Sequence, residues 1–421
     1  MEYSYVSRNL RRGLTYSHIR TDAVLSTEEA RQNLSQQTAE IISSTGIDSL
    51  FHDSLKTILI KSKPAYTLKK TSALMALNLL NKNILKLYKV RPSNRENLVS
   101  LFVSHIKETY PYNIYRYDIK SFYESIDRKS LLKKLKDDNI LSSKSVKILE
   151  LFFKELERAE VKGLPRGISI SSTLSELYMR NFDSKISKLD DVLYYGRFVD
   201  DIIIITNSYL RQGVMSEYLT SIPLPARLEF HSKGEKKFVG IYPRATSSGD
   251  NAKKITFSYL GYEFKVSTEK DQNEDFYNSK YRKIEIDISK DKVKKIKERL
   301  IKSFARITSK KNAEGYNTLV KRVKFLTGNY FIEKIGYGKT VKSGIFYNYR
   351  HVNTHKNLKL LDLFLCHILF GNTPLSLRLK NQLSYSQRVN LSKNSFISGF
   401  EEVKFHRFKY SDFDEIRQCW K

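Results

Sequence analysis

Two adjacent carboxylates, Asp200 and Asp201, sit inside an otherwise apolar run from Leu193 to Ile205. An unpaired charge is costly to bury in such a setting, so something must compensate for the pair. Successive side chains along a strand point to opposite faces, so neighbouring aspartates can serve one site only from the tight turn between two strands. The flanks suit that arrangement, because Leu193 to Val199 and Ile202 to Thr206 both read as short β-rich runs. Such a turn offers hard oxygen ligands of the kind Mg2+ takes. An acidic hairpin turn facing solvent is the alternative, since Asp populates turns freely.

A third carboxylate stands in Tyr117-Asp118-Ile119-Lys120-Ser121-Phe122-Tyr123. This segment reads as a strand ending on Asp118 and passing into a helix near Asp127, a candidate N-cap. Two-metal phosphoryl transfer needs ligands from separate strands converging on cations roughly 3.5–4 Å apart. Asp118 with Asp200 and Asp201 meets that requirement.

The elements that must position these residues follow from spacing. Helical stretches such as Thr27 to Ser43 lie in a polar, Ser/Thr-rich segment, residues 1–55, that carries no recognisable chemistry. Leu77, Leu80, Ile84 and Leu87 repeat at helical spacing, as do Leu98, Leu101, Phe102 and Ile106 beyond the basic stretch Lys89 to Arg95. Helices are predicted over Arg128 to Lys136, around Ile148 to Leu156 and over Ser172 to Phe182, between the Asp118 strand and the Asp200 hairpin. Strands and helices alternating on one sheet make an α+β arrangement. In Gly163-Leu164-Pro165-Arg166-Gly167 the glycines allow close backbone approach and the proline stiffens the loop, although an ordinary turn has the same composition. From Lys290 to Ile307, Val293, Ile296, Leu300 and Phe304 form an apolar stripe flanked by Lys294, Lys295 and Arg299. A basic amphipathic helix of this kind can track a nucleic-acid backbone by charge; a membrane-surface helix is the rival reading.

Composition narrows the class. The 421 residues carry a formal charge of +29, whose usual partner is a polyanion, although basic patches also bind membranes and acidic proteins. That length exceeds one small core and suggests two or three subdomains, filled by the 40% hydrophobic residues. Cys366 and Cys419 lack metal-ligand spacing, and reduced thiols in a cytoplasmic protein are expected. No apolar run approaches the length of a membrane span, and Arg11 and Arg12 are not followed by a signal-peptide core.

Four blocks between residues 86 and 266 resemble the reverse transcriptases, RNA-directed DNA polymerases, in the order that family uses. They are Tyr117 to Tyr123, Gly163 to Gly167, Arg197-Phe198-Val199-Asp200-Asp201 and Tyr259-Leu260-Gly261-Tyr262. The resemblance implies a right-hand polymerase. After an N-terminal extension (1–55) it places fingers at 56–109, a palm with an antiparallel sheet at 110–266, and a thumb with a helical C-terminal region at 267–421. It implies that Asp118, Asp200 and Asp201, assisted by the Ile119 carbonyl, hold two Mg2+ ions, with Mn2+ as a substitute. It assigns triphosphate contacts to Lys89, Arg91 and Arg95, for which a solvated basic loop is the alternative. Tyr123 falls at the position of the aromatic steric gate against a 2′-hydroxyl; a core tyrosine is its alternative. Arg166 and Gly167 fall at the nucleotide-supporting loop, where the family commonly has glutamine at the position of Arg166. Lys236, with Lys233 second, would protonate pyrophosphate, for which a solvated lysine-rich face is the alternative, and Tyr259, Leu260 and Gly261 would grip the primer. Lys294, Lys295 and Arg299 would follow the duplex.

The strings Gly167 to Met179 and Leu326 to Tyr330 look similar to bacterial defence-associated and abortive-infection reverse transcriptases, with retron enzymes next. Implied partners are an RNA template, especially a noncoding RNA, a DNA product, deoxynucleoside triphosphates, a co-encoded protein and a second copy of the chain, with no membrane. A catalytically silent RNA-holding scaffold and an RNA-dependent RNA polymerase remain the competing classes; Tyr123 argues against the latter.

Overall fold

The computed structural model of the chain describes residues 3–14, 19, 23–60, 63–207, 214–231, 238–245, 254–270, 281–307, 315–334 and 339–420. It divides into two compact units, Met1–His105 with Pro111–Pro243, and Ile106–Tyr110 with Arg244–Lys421.

In the first unit, the polar N-terminal segment is part of the core. Thr27 caps the Glu28–Ser43 helix by accepting from the Ala30 N–H at 3.2 Å, and Leu10, Ile42, Leu50 and Phe51 are buried. Strands β1 (Leu55–Ile60) and β2 (Lys63–Leu68) form an antiparallel hairpin at the start of the range given to the fingers, ahead of its two helices. The outer part of β1 leaves Ile58, Leu59 and Ile60 exposed. The Thr71–Leu87 helix follows the predicted spacing and buries Leu77, Leu80 and Ile84.

The functional scaffold is an antiparallel sheet ordered β4-β5-β3-β6. Its strands are β3 (Tyr112–Asp118), β4 (Val192–Phe198), β5 (Asp201–Asn207) and β6 (Phe238–Tyr242). The unbroken run Ile202 to Ile205 is explained by burial on both faces: all four side chains are fully buried, and Ile202 and Ile204 join the main core. That core is completed by the predicted helices, observed as Arg128–Asp137, Ser143–Arg158 and Ser169–Ile186. Asp127 caps the first of them through the Ser130 N–H, as its position suggested.

Arg197 on β4 ties this sheet to the Ser169–Ile186 helix. It is 4% exposed and donates to Glu176 Oε2 at 2.6 Å and Asp183 Oδ2 at 2.7 Å, both on that helix. It also donates to the Val199 carbonyl at 3.1 Å. Burial opposes its charge, but the hydrogen bonds and field of Asp183 and Glu176 outweigh it and raise the guanidinium pKa above the ordinary arginine value.

The second unit contains an antiparallel sheet of β7 (Lys254–Tyr259), β8 (Tyr262–Lys270) and β9 (Arg282–Ile288). A hairpin of β10 (Asn329–Lys334) and β11 (Lys339–Gly344) and several helices complete it. The Lys290–Ile307 helix has the predicted bounds and buries Val293, Ile296, Leu300 and Phe304. Among the described residues no single helix is long and apolar enough to cross a membrane.

Arg197→Met should lower unfolding free energy by about 3–5 kcal/mol, because it strands Glu176 and Asp183 without their shared cation. Urea unfolding followed by fluorescence checks this; a midpoint that does not move would show that the pairing carries no structural weight.

Candidate active site

The β4–β5 hairpin closes with Phe198 paired to Asp201, so the two turn residues are Val199 and Asp200, and Asp201 is the first residue of β5. The sequence-based picture of both aspartates inside the turn is corrected by one residue. Val199 adopts φ +62, a conformation that a β-branched side chain rarely takes. On the other side of β5, Asp118 at the end of β3 lies in register opposite Asp201. Directly opposed residues share a face, so Asp118 and Asp201 project together. The Ile119 N–H donates to the Asp200 carbonyl at 3.0 Å, which fixes the turn against the end of β3. In extended backbone a residue's N–H and C=O point to the same side, so the Ile119 carbonyl is directed toward that turn as well.

The three carboxylates have different partners. Asp201 is held by Arg116, two residues before Asp118 on the same strand, through bonds of 2.9 Å from Nε and 3.0 Å from Nη2. Both side chains are mostly buried. Burial raises the Asp201 pKa, Arg116 opposes that rise, and the charges of Asp118 and Asp200 add to it, so the three acids share one electrostatic neighbourhood. Asp118 lies 3.3 Å from His231 Nε2, and its carbonyl accepts the His231 N–H at 2.9 Å. Among the described residues no three carboxylate, imidazole or thiolate groups form a ready-made metal cage. Mg2+ commonly takes one or two carboxylates and completes its shell with water and substrate phosphate. The oxygens of Asp118, Asp200 and Ile119 are the right donor type, and the crowded negative charge favours a cation.

The Gly163–Gly167 loop packs against the segment after Asp118. Gly163 has φ +55, and a Cβ there would lie 2.1 Å from the Tyr123 carbonyl, which accepts the Leu164 N–H at 2.8 Å. Gly167 has φ +96, and a Cβ there would meet the Tyr66 carbonyl of β2 at 2.7 Å. Arg166 is held by Glu124 through bonds of 2.6 and 3.1 Å, and its guanidinium lies 5.6 Å from the centre of the Tyr123 ring. Tyr123 is half-buried; burial raises its pKa, a Ser175 hydrogen bond opposes this, and Glu176 and Asp200 raise it further.

The other expected residues are distributed as follows. Lys89 is exposed just after the Thr71–Leu87 helix, and Arg95 opens the next helix. Arg91 lines a cavity of about 360 Å3 with Arg180, Glu176, Asp183 and Tyr195. Lys233 and Lys236 lie outside the described residues. In the second unit Leu260 and Gly261 form the β7–β8 turn at φ +46 and +86, and the Tyr259 side chain is fully buried. Lys294 and Lys295 are exposed, and Arg299 lies 5.2 Å over the Trp420 ring. Sequence reading did not assign roles to Arg116, Glu124, Glu176 or Asp183. The signal for Arg116 was its period-two spacing from Asp118, which puts it diagonally across from Asp201.

The architecture is mixed α/β with antiparallel sheets, and it fits a polymerase-like fold. Residues 54–264 match the family described as reverse transcriptase (RNA-dependent DNA polymerase). The chain belongs to that family. No curated protein matches the sequence. Among solved structures the chain is similar to telomerase from Candida albicans, determined in complex with the TWJ fragment of telomeric RNA. Identity is 13% over 87% of this chain and 61% of that one, with a TM-score of 0.35. The chain thus spans about three-fifths of the length of the telomerase chain it matches.

Gly163→Ala should destabilise the first unit by more than about 1 kcal/mol, since φ is positive and the new methyl meets fixed backbone. A thermal melt with the same midpoint as the parent protein would refute the close approach.

Proposed function

We propose that the chain is an RNA-directed DNA polymerase, a nucleotidyltransferase that joins deoxynucleotides to a primer 3′-hydroxyl or to a protein hydroxyl. The observation that carries this reading is the register of Asp118 opposite Asp201, with Asp200 in the adjoining turn and bonded through its carbonyl to Ile119. Asp118, Asp200 and the Ile119 carbonyl would hold two Mg2+ ions. When bound, Mg2+ supplies positive charge that acidifies the attacking hydroxyl and neutralises the triphosphate.

The chain's own residues have separable tasks. Arg116 fixes Asp201, which shapes the field at the site and keeps the β5 end of the hairpin in position. Glu124 orients Arg166 over Tyr123, which stiffens the ring against displacement and leaves a cation beside it. A stiff aromatic wall would exclude a 2′-hydroxyl and so favour deoxynucleotides. Lys89, Arg91 and Arg95 are candidates for the triphosphate, and Leu260 with Gly261 for the primer.

This reading makes 110–266 a palm, with fingers at 56–109, a thumb and helical region at 267–421 and an extension at 1–55. The antiparallel sheet bearing the acids supports the palm; the division between units after Pro243 falls inside the range given to it. A cytoplasmic role in bacterial phage defence, copying a noncoding RNA, is the biological setting we favour, on the strings Gly167 to Met179 and Leu326 to Tyr330. A retron-type enzyme copying its dedicated RNA is the second reading.

Purified protein given Mg2+, its copurifying RNA and labelled deoxynucleotides should make DNase-sensitive product, and EDTA should stop it. Asp118→Asn and Asp200→Asn should each reduce incorporation to the level of a protein-free reaction, while Asp201→Asn and Arg116→Met should share a smaller loss. Full synthesis by the Asp118 or Asp200 variant would sink the assignment. Tyr123→Ala should raise ribonucleotide incorporation relative to deoxynucleotide; unchanged sugar discrimination would remove the gate.

A further inference from the structure

The second unit contains a cavity of about 450 Å3 with no role in the chemistry above, within the size range of about 300–1,000 Å3 typical of small-ligand sites. Phe331, Phe408, Tyr410 and Phe413 form its apolar walls, and Arg407 and Lys409 its charged side. Residues 331–413 lie beyond the segment that matches the reverse transcriptase family.

Three features mark this as a preformed surface. First, its walls are rigid. The backbone of 404–406 runs beside β10, with the Asn329 N–H donating to Lys404 O at 2.8 Å and the His406 N–H donating to Asn329 O at 2.7 Å. Asn329 is fully buried and bonded through its side chain to Gly399 O and the Phe346 N–H. Second, large flat rings are available. Phe331 stacks on Phe405 at 4.6 Å and 16°, yet remains 41% exposed, and Tyr410 is 45% exposed. Behind them a closed aromatic cluster, including Tyr330 stacked on Phe325 at 4.3 Å, braces the wall. Third, the charge has one sign. Among the described residues no carboxylate lines the cavity, and the Arg407 side chain is exposed. The nearby Asp412 carboxylate is engaged by Lys321 Nζ at 2.8 Å and by the Lys409 N–H at 2.7 Å. Burial and the charges of Lys324 and Lys404 lower the His406 pKa to about 4, so its ring is a neutral part of the wall.

Exposed rings alternating with exposed cations match the two faces of a nucleotide, a flat base and an anionic phosphate. A peptide partner would need carboxylates placed to answer Arg407 and Lys409, whereas a nucleic-acid strand carries a phosphate beside every base. We propose that this cavity binds single-stranded nucleic acid, stacking a base on Phe331 and Tyr410 while Arg407 and Lys409 contact the adjoining phosphates. The site is independent of the polymerase reading, because holding a strand requires neither metal nor nucleotide, so either idea can fail alone.

The test uses the full chain without Mg2+ or triphosphates. A twelve-residue oligothymidylate carrying 5-bromodeoxyuridine, and its ribo counterpart, are crosslinked by ultraviolet light and the attached peptides are mapped. Crosslinks are expected at Phe331 or Tyr410. They should fall about tenfold in the Phe331→Leu, Tyr410→Leu double variant, and an abasic strand should compete about tenfold less well than an intact one. Arg407→Gln, an exposed change that leaves the walls intact, should reduce the slope of log affinity against log salt at this crosslink by about one. Stronger crosslinking by one sugar type would identify RNA or DNA as the occupant. Crosslinks confined to other peptides, equal competition by the abasic strand, or an unchanged slope would each overturn the proposal.

Discussion

The site depends on holding the β4–β5 turn in a conformation that its residues oppose. Val199 at φ +62 costs on the order of 1–3 kcal/mol, and Asp118, Asp200 and Asp201 repel one another across the same few ångströms. Two arginines answer these costs from different strands. Arg197 grips the Val199 carbonyl from β4 and is itself anchored by Glu176 and Asp183 on the neighbouring helix. Arg116 grips Asp201 from β3. Buried ion pairs of this kind often gain no stability over apolar residues of equal size. What they provide here is position, since a loosened turn would let the acids separate and relax.

This arrangement separates three acids that look alike in sequence. Asp201 has both oxygens committed to a rigid two-pronged contact, whereas Asp118 and Asp200 stand at the strand end and turn apex. A similar local pairing accounts for Arg166. An arginine in place of the family's usual glutamine would bring an unbalanced charge, but Glu124 supplies the matching carboxylate and the Tyr123 ring a surface to lie on. The departure is thus accommodated within a cluster of three neighbouring side chains.

The parts of the fold visible in the sequence were those with local causes. Helices over Thr71–Leu87 and Lys290–Ile307 follow from apolar periodicity, and the Asp127 cap from side-chain chemistry. The meeting of Asp118 with the hairpin was legible because strand alternation and turn chemistry leave few ways to gather adjacent acids. The β1–β2 hairpin was not legible: its exposed Ile58, Leu59 and Ile60 form a run with no alternation to mark a face. Nor were the partners of Arg116 and Arg197, because ion pairing depends on cross-strand register and helix docking. Nor was the burial of the Tyr259 ring, since a turn-flanking tyrosine reads the same whether its ring faces solvent or core.

The +29 charge can be understood in the same terms. Arg116, Arg166 and Arg197 are each matched by carboxylates, so they organise the fold and contribute little to an external field. Even if every carboxylate in the chain were paired one-to-one, an excess of 29 cations would still face solvent or a polyanion. Lys294, Lys295 and Arg407 belong to the exposed basic population, on the helix face and the cavity rim of the second unit. Desolvation selects arginine for the paired interior positions, where its planar fork meets two oxygens at once. Exposed cations keep their hydration until a phosphate displaces it. The positive charge of this chain therefore has two physical roles, and burial distinguishes them: interior guanidiniums are held by carboxylates, as at Arg197, or by backbone carbonyls, as at Arg282 and Arg322, while the rest stay hydrated.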